Sequence, residues 1–164
     1  MYARPLIDSL DFARNSQESS GEVPLVEMSR LLELLANAQG MLSYTISGNL
    51  DNQGSPFLNL SANGSCQLFC QRCLESMDYQ VELNTRLLLR KQEDLDALGD
   101  EIEEFDSILA DVKLDVLNLL EDEVLLSLPI APKHVPGACQ AAIGRNGFAG
   151  ENHPFETLKK LKRN

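Results

Sequence analysis

Tyr79-Gln80-Val81-Glu82-Leu83-Asn84-Thr85-Arg86-Leu87-Leu88-Leu89 is the longest alternation of apolar and polar side chains in this chain. A period of two belongs to a strand with one face in a core and the other in water. The same period recurs upstream. Leu42, Tyr44 and Ile46 alternate with Ser43, Thr45 and Ser47, and Phe57 to Ala62 alternates again. Asp51-Asn52-Gln53-Gly54-Ser55-Pro56 between these two runs is turn chemistry. Asn63-Gly64 is the dipeptide favoured in tight hairpins, so it predicts a second reversal. Cys66, Leu68 and Cys70 then share one side of a further strand, and the Cys70–Cys73 unit turns the chain into the run at Tyr79.

Working outward, the period changes to that of helices. Residues 6–15 carry apolar side chains at 6, 7, 10 and 13, a short helical spacing. Residues 16–21 read as a polar linker, and Glu22 to Val26 as a brief strand that Pro24 confines to an edge. Ser29 is a good N-cap for a helix over Arg30–Gln39, with Gly40 placed as its C-cap glycine. Asp115 caps another helix, with a broad apolar stripe from Val116 to Leu128, with Glu121, Asp122 and Glu123 facing water, and with Pro129 as its stop. Strands followed by helix indicate an α+β fold: an antiparallel β-meander of three to five strands with two or three packed helices. Residues 1–132 make one α+β domain with a flexible acidic loop near 91–107. Residues 133–164 form a largely irregular tail that ends in a short amphipathic docking segment.

Charge is concentrated. Of the 164 residues, 93–123 hold thirteen acidic side chains and one basic, Lys113, while the remainder is close to balance within a net charge of −11. Such a chain repels a phosphate backbone in bulk, which disfavours non-specific nucleic-acid binding, and it suits a basic protein partner. Lys159-Lys160-Leu161-Lys162-Arg163 is the basic exception. The first eight residues lack a secretory h-region and no run is long enough to span a bilayer, so a cytoplasmic protein with reduced thiols and no membrane partner is expected.

The four cysteines pose the chemical question. Cys66, Cys70 and Cys73 offer three zinc ligands, with Cys139 or His134 as the fourth. There is no second CxxC, and the fourth ligand falls in the irregular tail, so no metal or other cofactor is expected and the thiols read as small buried apolar groups. A thiol-redox site is the alternative, with Arg72 between the cysteines favouring a thiolate, but such motifs sit at a helix N-terminus and this one leads back into strand. No glycine-rich phosphate loop or HExxH helix occurs, and both histidines lie in the tail, so no catalytic residue is assigned.

Four stretches, Ile7 to Ala13, Cys70 to Glu75, Glu121 to Ile130 and His153 to Lys162, taken together in their order and spacing, resemble the YceD-like family of bacterial and plastid proteins. Cys70-Gln71-Arg72-Cys73-Leu74-Glu75 is similar to its CxRCLE signature, and Glu121 to Ile130, with Glu123 and Pro129, to its acidic-to-leucine segment ending in Leu-Pro. His153-Pro154-Phe155 with Lys159 and Lys160 resembles the closing Asn-Pro-Phe box, and Ile7 to Ala13 fits the opening. The chain departs from some relatives in having only Cys139 after the Leu-Pro box, which tells against zinc, and in His153 where Asn is commoner. The resemblance implies a non-enzymatic ribosome biogenesis factor needed for synthesis, processing or stability of large-subunit (23S) ribosomal RNA. The charge distribution adds an expectation of division of labour. The acidic segment engages a basic ribosomal protein or assembly factor, and the Pro154-Phe155 tail docks and touches ribosomal RNA locally. A zinc-binding or thiol-redox protein centred on the CxxC pair is the rival.

Overall fold

The computed structural model describes residues 4–97 and 105–139. Their elements in order are β1 (Leu6–Ile7), α1 (Ser9–Arg14), β2 (Glu18–Pro24), a 3-10 turn (Leu25–Glu27), α2 (Ser29–Leu32), β3 (Met41–Leu50), β4 (Pro56–Phe69), β5 (Ser76–Arg90), α3 (Gln92–Ala97), β6 (Asp106–Leu109), β7 (Leu114–Asp115) and α4 (Val116–Ser127). The fold is α+β around a five-stranded sheet of order β2-β3-β4-β5-β6, with β1 and β7 forming a separate two-stranded pair. The first four strands are sequential and antiparallel, but β6 joins β5 in parallel, Leu87 opposite Asp106 and Arg90 opposite Leu109. The sheet is therefore not wholly antiparallel.

The alternating run at 79–89 lies within the fifteen-residue β5, and its Val81, Leu87 and Leu89 point into the core. Leu42, Tyr44 and Ile46 from β3 and Leu58, Leu60, Ala62, Cys66 and Leu68 from β4 complete that face, which α1, α4 and the segment 25–35 cover. Gly48 lets α1 lie directly on β3, because a Cβ there would come within 2.6 Å of the Ala13 Cα. The Asp51 turn forms as expected, its carboxylate accepting from the N–H groups of Gln53 and Ser55 at 2.8 Å.

Several expectations are overturned. Asn63-Gly64 makes no hairpin. The fourteen-residue β4 runs straight through it, and Gly64 is needed because a Cβ would meet the Met41 carbonyl and the Leu42 side chain of the neighbouring strand. The linker at 16–21 is mostly β2, whose polar residues sit on an edge strand with Pro24 as its last member. The helix over Arg30–Gln39 shrinks to the single turn of α2, because Leu35 forms a bridge with Leu68 and the Ala36 N–H donates to the Gln67 carbonyl at 2.7 Å. The sheet takes that backbone, and tertiary pairing overrides helical spacing. The acidic stretch 91–107 is not all loop: α3 occupies its first part and β6 begins at its end, drawn in by the open edge of β5. Residues 98–104 of it lie outside the described residues.

The acidic end of α4 also differs. Asp115 caps the helix as expected, accepting from Leu117 and Asn118 N–H groups at 3.0 and 3.1 Å. Glu121 and Glu123 do not face water, being only 5% and 8% exposed. Met28, not Ser29, holds the N-cap position of α2 and supplies no side-chain bond. Glu121 supplies it from another helix: its Oε1 accepts from the Arg30 and Leu31 N–H groups at 2.7 and 3.0 Å, and its Oε2 accepts from Arg30 Nε at 3.1 Å. Arg30 reaches on to Asp122, and Asp122 followed by Glu121 holds its guanidinium above the usual range. Burial, reinforced by the charge of Asp106, pushes the Glu123 carboxyl up, against a hydrogen bond with Thr85.

Glu121→Ala strands two backbone donors and is expected to lower unfolding free energy by about 2 kcal/mol in urea titration, with Glu121→Gln recovering part of it. Glu123 binds its proton more tightly folded than unfolded, so its contribution is present below its ordinary value near 4.5 and is lost as pH rises through the raised folded value. Glu123→Gln is therefore expected to flatten the fall in stability over that interval, measured as urea midpoints across a pH series.

Candidate metal centre

β4 and β5 are long neighbours that the chain joins through Cys70-Gln71-Arg72-Cys73-Leu74-Glu75, and the turn is built tightly. The Cys70 N–H donates to the Glu75 carbonyl at 2.9 Å and the Leu74 N–H to the Cys70 carbonyl at 2.8 Å. Leu74 takes φ of +63°, a strained conformation for a leucine, and leaves its side chain exposed. Across this turn the Cys70 and Cys73 sulfurs lie within 4.8 Å of each other. Downstream, α4 stops at Leu128-Pro129, and the chain from Ile130 to Cys139 forms neither helix nor strand. It returns against the turn, where the Gln71 N–H donates to the Pro132 carbonyl at 2.8 Å.

The return brings four ligand atoms together. Cys70, Cys73, His134 and Cys139 all place their donor atoms within 4.8 Å of one another. Cys70 Sγ lies 3.6 Å from Cys139 Sγ, and His134 Nδ1 lies 3.4 Å from Cys73 Sγ and 3.5 Å from Cys139 Sγ. A tetrahedral zinc with bonds of about 2.3 Å to sulfur and 2.0–2.1 Å to nitrogen separates its ligands by about 3.8 Å (sulfur to sulfur) and 3.6 Å (sulfur to nitrogen). The cluster has the size and the Cys3His composition of a structural zinc site.

Its electrostatics suit a cation. Burial raises the Cys70 thiol, but backbone N–H groups of Cys73, His134 and Arg72, with the Cys73 side chain, outweigh it and bring the thiol down to about 5. Cys70 is then the thiolate that a metal takes at neutral pH. For Cys73 the Glu75 N–H pulls down, while burial and the Cys70 and Cys139 sulfurs win and leave it raised. Sulfurs crowding in this way favour a divalent ion between them. Arg72 donates from Nε to Cys139 Sγ at 2.9 Å and from Nη2 to the His134 carbonyl at 3.4 Å.

The expected absence of a metal thus meets a complete ligand set. Sequence offers Cys139 and His134 as alternatives for one place, and the fold uses both. Cys66 is not a member: it faces the sheet core, 3% exposed, with burial raising its thiol. Four strand residues at about 3.3 Å each carry its backbone about 13 Å from Cys70. The missed signal is His134-x4-Cys139, a knuckle spacing as acceptable as a second CxxC.

The other candidate residues scatter. Glu75 is exposed and enters the turn through its backbone. Glu121 and Glu123 are buried under the fold and take no part in this cluster. Pro129 lines a shallow groove of about 370 Å³ beside it with Leu34, Leu68, Phe69, Leu128 and Ile130. Pro154, Phe155, Lys159 and Lys160 lie outside the described residues.

Comparison with known proteins gives a match that spans both halves of the cluster. The family model described as large ribosomal RNA subunit accumulation protein YceD matches residues 58–162. A curated relative, the large ribosomal RNA subunit accumulation protein YceD of Haemophilus influenzae, is 24% identical over 165 residues, covering 95% of this chain and 94% of the relative. No solved structure matches significantly. The chain belongs to the YceD family.

Metal analysis of the purified full chain is expected to find about one zinc per molecule. Cys70→Ser, Cys73→Ser, His134→Ala and Cys139→Ser are each expected to lower that stoichiometry, whereas Cys66→Ala leaves it unchanged. A result in which Cys66→Ala loses metal would contradict the assignment.

Proposed function

We propose that, as a member of the YceD family, the chain supports accumulation of large-subunit (23S) ribosomal RNA by binding and not by catalysis. The observation that carries the non-catalytic part is the closure of the Cys70-Cys73-His134-Cys139 set. A catalytic zinc keeps three protein ligands and an open position for water or substrate, whereas four protein ligands make a structural ion. Zinc here would hold the segment 130–139 on the β4–β5 turn, supplying a cross-link where the backbone forms no ladder. Zinc binding and an assembly role are then one reading, not rivals. The thiol-redox alternative draws support from the depressed Cys70 thiol. It is weaker because the CxxC joins two strands, without the helix N-terminus that activates redox dithiols.

The charge distribution supports a protein partner. The acidic segment 93–106 is the surface we assign to a basic ribosomal protein or assembly factor, in the cytoplasm. The segment with Pro154, Phe155, Lys159 and Lys160 is the docking element, with local contact to RNA phosphates. No helix among the described residues is long and apolar enough to cross a membrane.

Depletion of the protein is expected to lower large-subunit ribosomal RNA relative to small-subunit RNA, and re-expression to restore the ratio. An unchanged ratio on depletion would remove this function.

A further inference from the structure

The three sulfurs of the centre are served differently. Cys70 and Cys73 sit on the β4–β5 turn, whose backbone is closed by the bonds from the Cys70 N–H to Glu75 and from the Leu74 N–H to Cys70. Cys139 belongs to the returning segment, which forms no regular element, and its sulfur instead receives the Arg72 guanidinium at 2.9 Å. The same guanidinium reaches the His134 carbonyl at 3.4 Å, so one side chain of the turn touches both ligand residues contributed by the other half. Three thiolates around a divalent zinc leave one negative charge, and Arg72 carries the matching positive one.

We propose that Arg72 is the positioning residue of the centre: it clamps His134 and Cys139 onto the β4–β5 turn and thereby sets how tightly and how long the metal is held. This role rests on zinc occupying the Cys3His set. Arg72 is itself exposed and is no member of the buried core, so its role is separable from folding of the sheet. The planar fork matters as well as the charge, because Nε and Nη2 address two different acceptors. Partners that orient metal ligands in this way are worth roughly 10–100-fold in affinity.

The test uses the full chain loaded with zinc, competed against a chromogenic chelator, for wild type, Arg72→Ala and Arg72→Lys. Arg72→Ala is expected to keep one zinc per chain at saturating metal but to bind about 10–100-fold more weakly and release zinc faster. Arg72→Lys is expected to recover only part of the loss. Cobalt substitution gives a second readout, since removing a donor from the Cys139 sulfur shifts the sulfur-to-cobalt charge-transfer band. A merely structural arginine would leave that band alone. Far-UV circular dichroism and urea midpoints of the metal-free variants are expected to match wild type. Equal affinity, release rate and cobalt spectrum in Arg72→Ala would overturn the proposal while leaving the zinc centre standing. A wild-type chain that takes up no zinc would overturn both, and the stoichiometry separates the two outcomes.

Discussion

The buried carboxylate of Glu121 is the interaction on which the closure of this fold depends. One face of the sheet must be covered, and the segment 25–35 that covers part of it has only one α-helical turn of its own. A turn that short does not stabilise itself. Its free N–H groups at Arg30 and Leu31 are held by an oxygen from α4, and Arg30 returns the contact through its side chain. A buried carboxylate without such partners is costly, so each side requires the other. Through this one group α2 and α4 are fixed together over the sheet, and the segment that leaves α4 runs in the direction of the β4–β5 turn, where the Gln71 N–H meets the Pro132 carbonyl.

That direction governs the chain beyond α4. Past Leu128 the backbone runs through Pro129, Pro132, Pro136 and Gly137 without a ladder, and proximity to the turn is obtained from side-chain ligands and a backbone bond to Gln71. A metal suits such a place, because it links residues far apart in sequence without regular backbone structure. The closed Cys3His set, the strained Leu74 and the contacts of Arg72 with Cys139 and His134 are parts of one arrangement, in which the Cys70–Glu75 turn presents two of the ligands.

What could be read in the sequence was what alternation and capping control. The strands at 42–50, 57–62 and 79–89, the Asp51 turn and the Asp115 cap arise from local chemistry that no distant contact contradicts. The failures share one cause, a partner remote in sequence. Asn63-Gly64 has the composition of a turn, yet its glycine answers to the neighbouring strand at Met41 and Leu42. Glu121 and Glu123 look solvated on a helical wheel, yet Glu121 is claimed by α2 and Glu123 by Thr85 of β5. The leucines after Ser29 suggest a long helix until Leu68 claims Leu35. For the metal centre, the sequence offers His134 and Cys139 as alternatives for one place and counts Cys66 as a ligand, since only the fold shows that both join the CxxC and that Cys66 turns into the core.

The pairing of β1 with β7 sets an order of events during synthesis. Arg4 and Asp115 stand 111 residues apart in sequence, and the strand at Leu6–Ile7 has no partner until Leu114 and Asp115 exist. The sheet from β2 to β5 is made of nearest neighbours and can assemble as it emerges, whereas the two residues of β1 must wait for β7. The centre closes later still, since Cys70 and Cys73 meet their remaining ligands only after Cys139 has left the ribosome. Maturation of this molecule therefore runs from the middle of the chain outward, with its earliest-made strand among the last pieces to find its place.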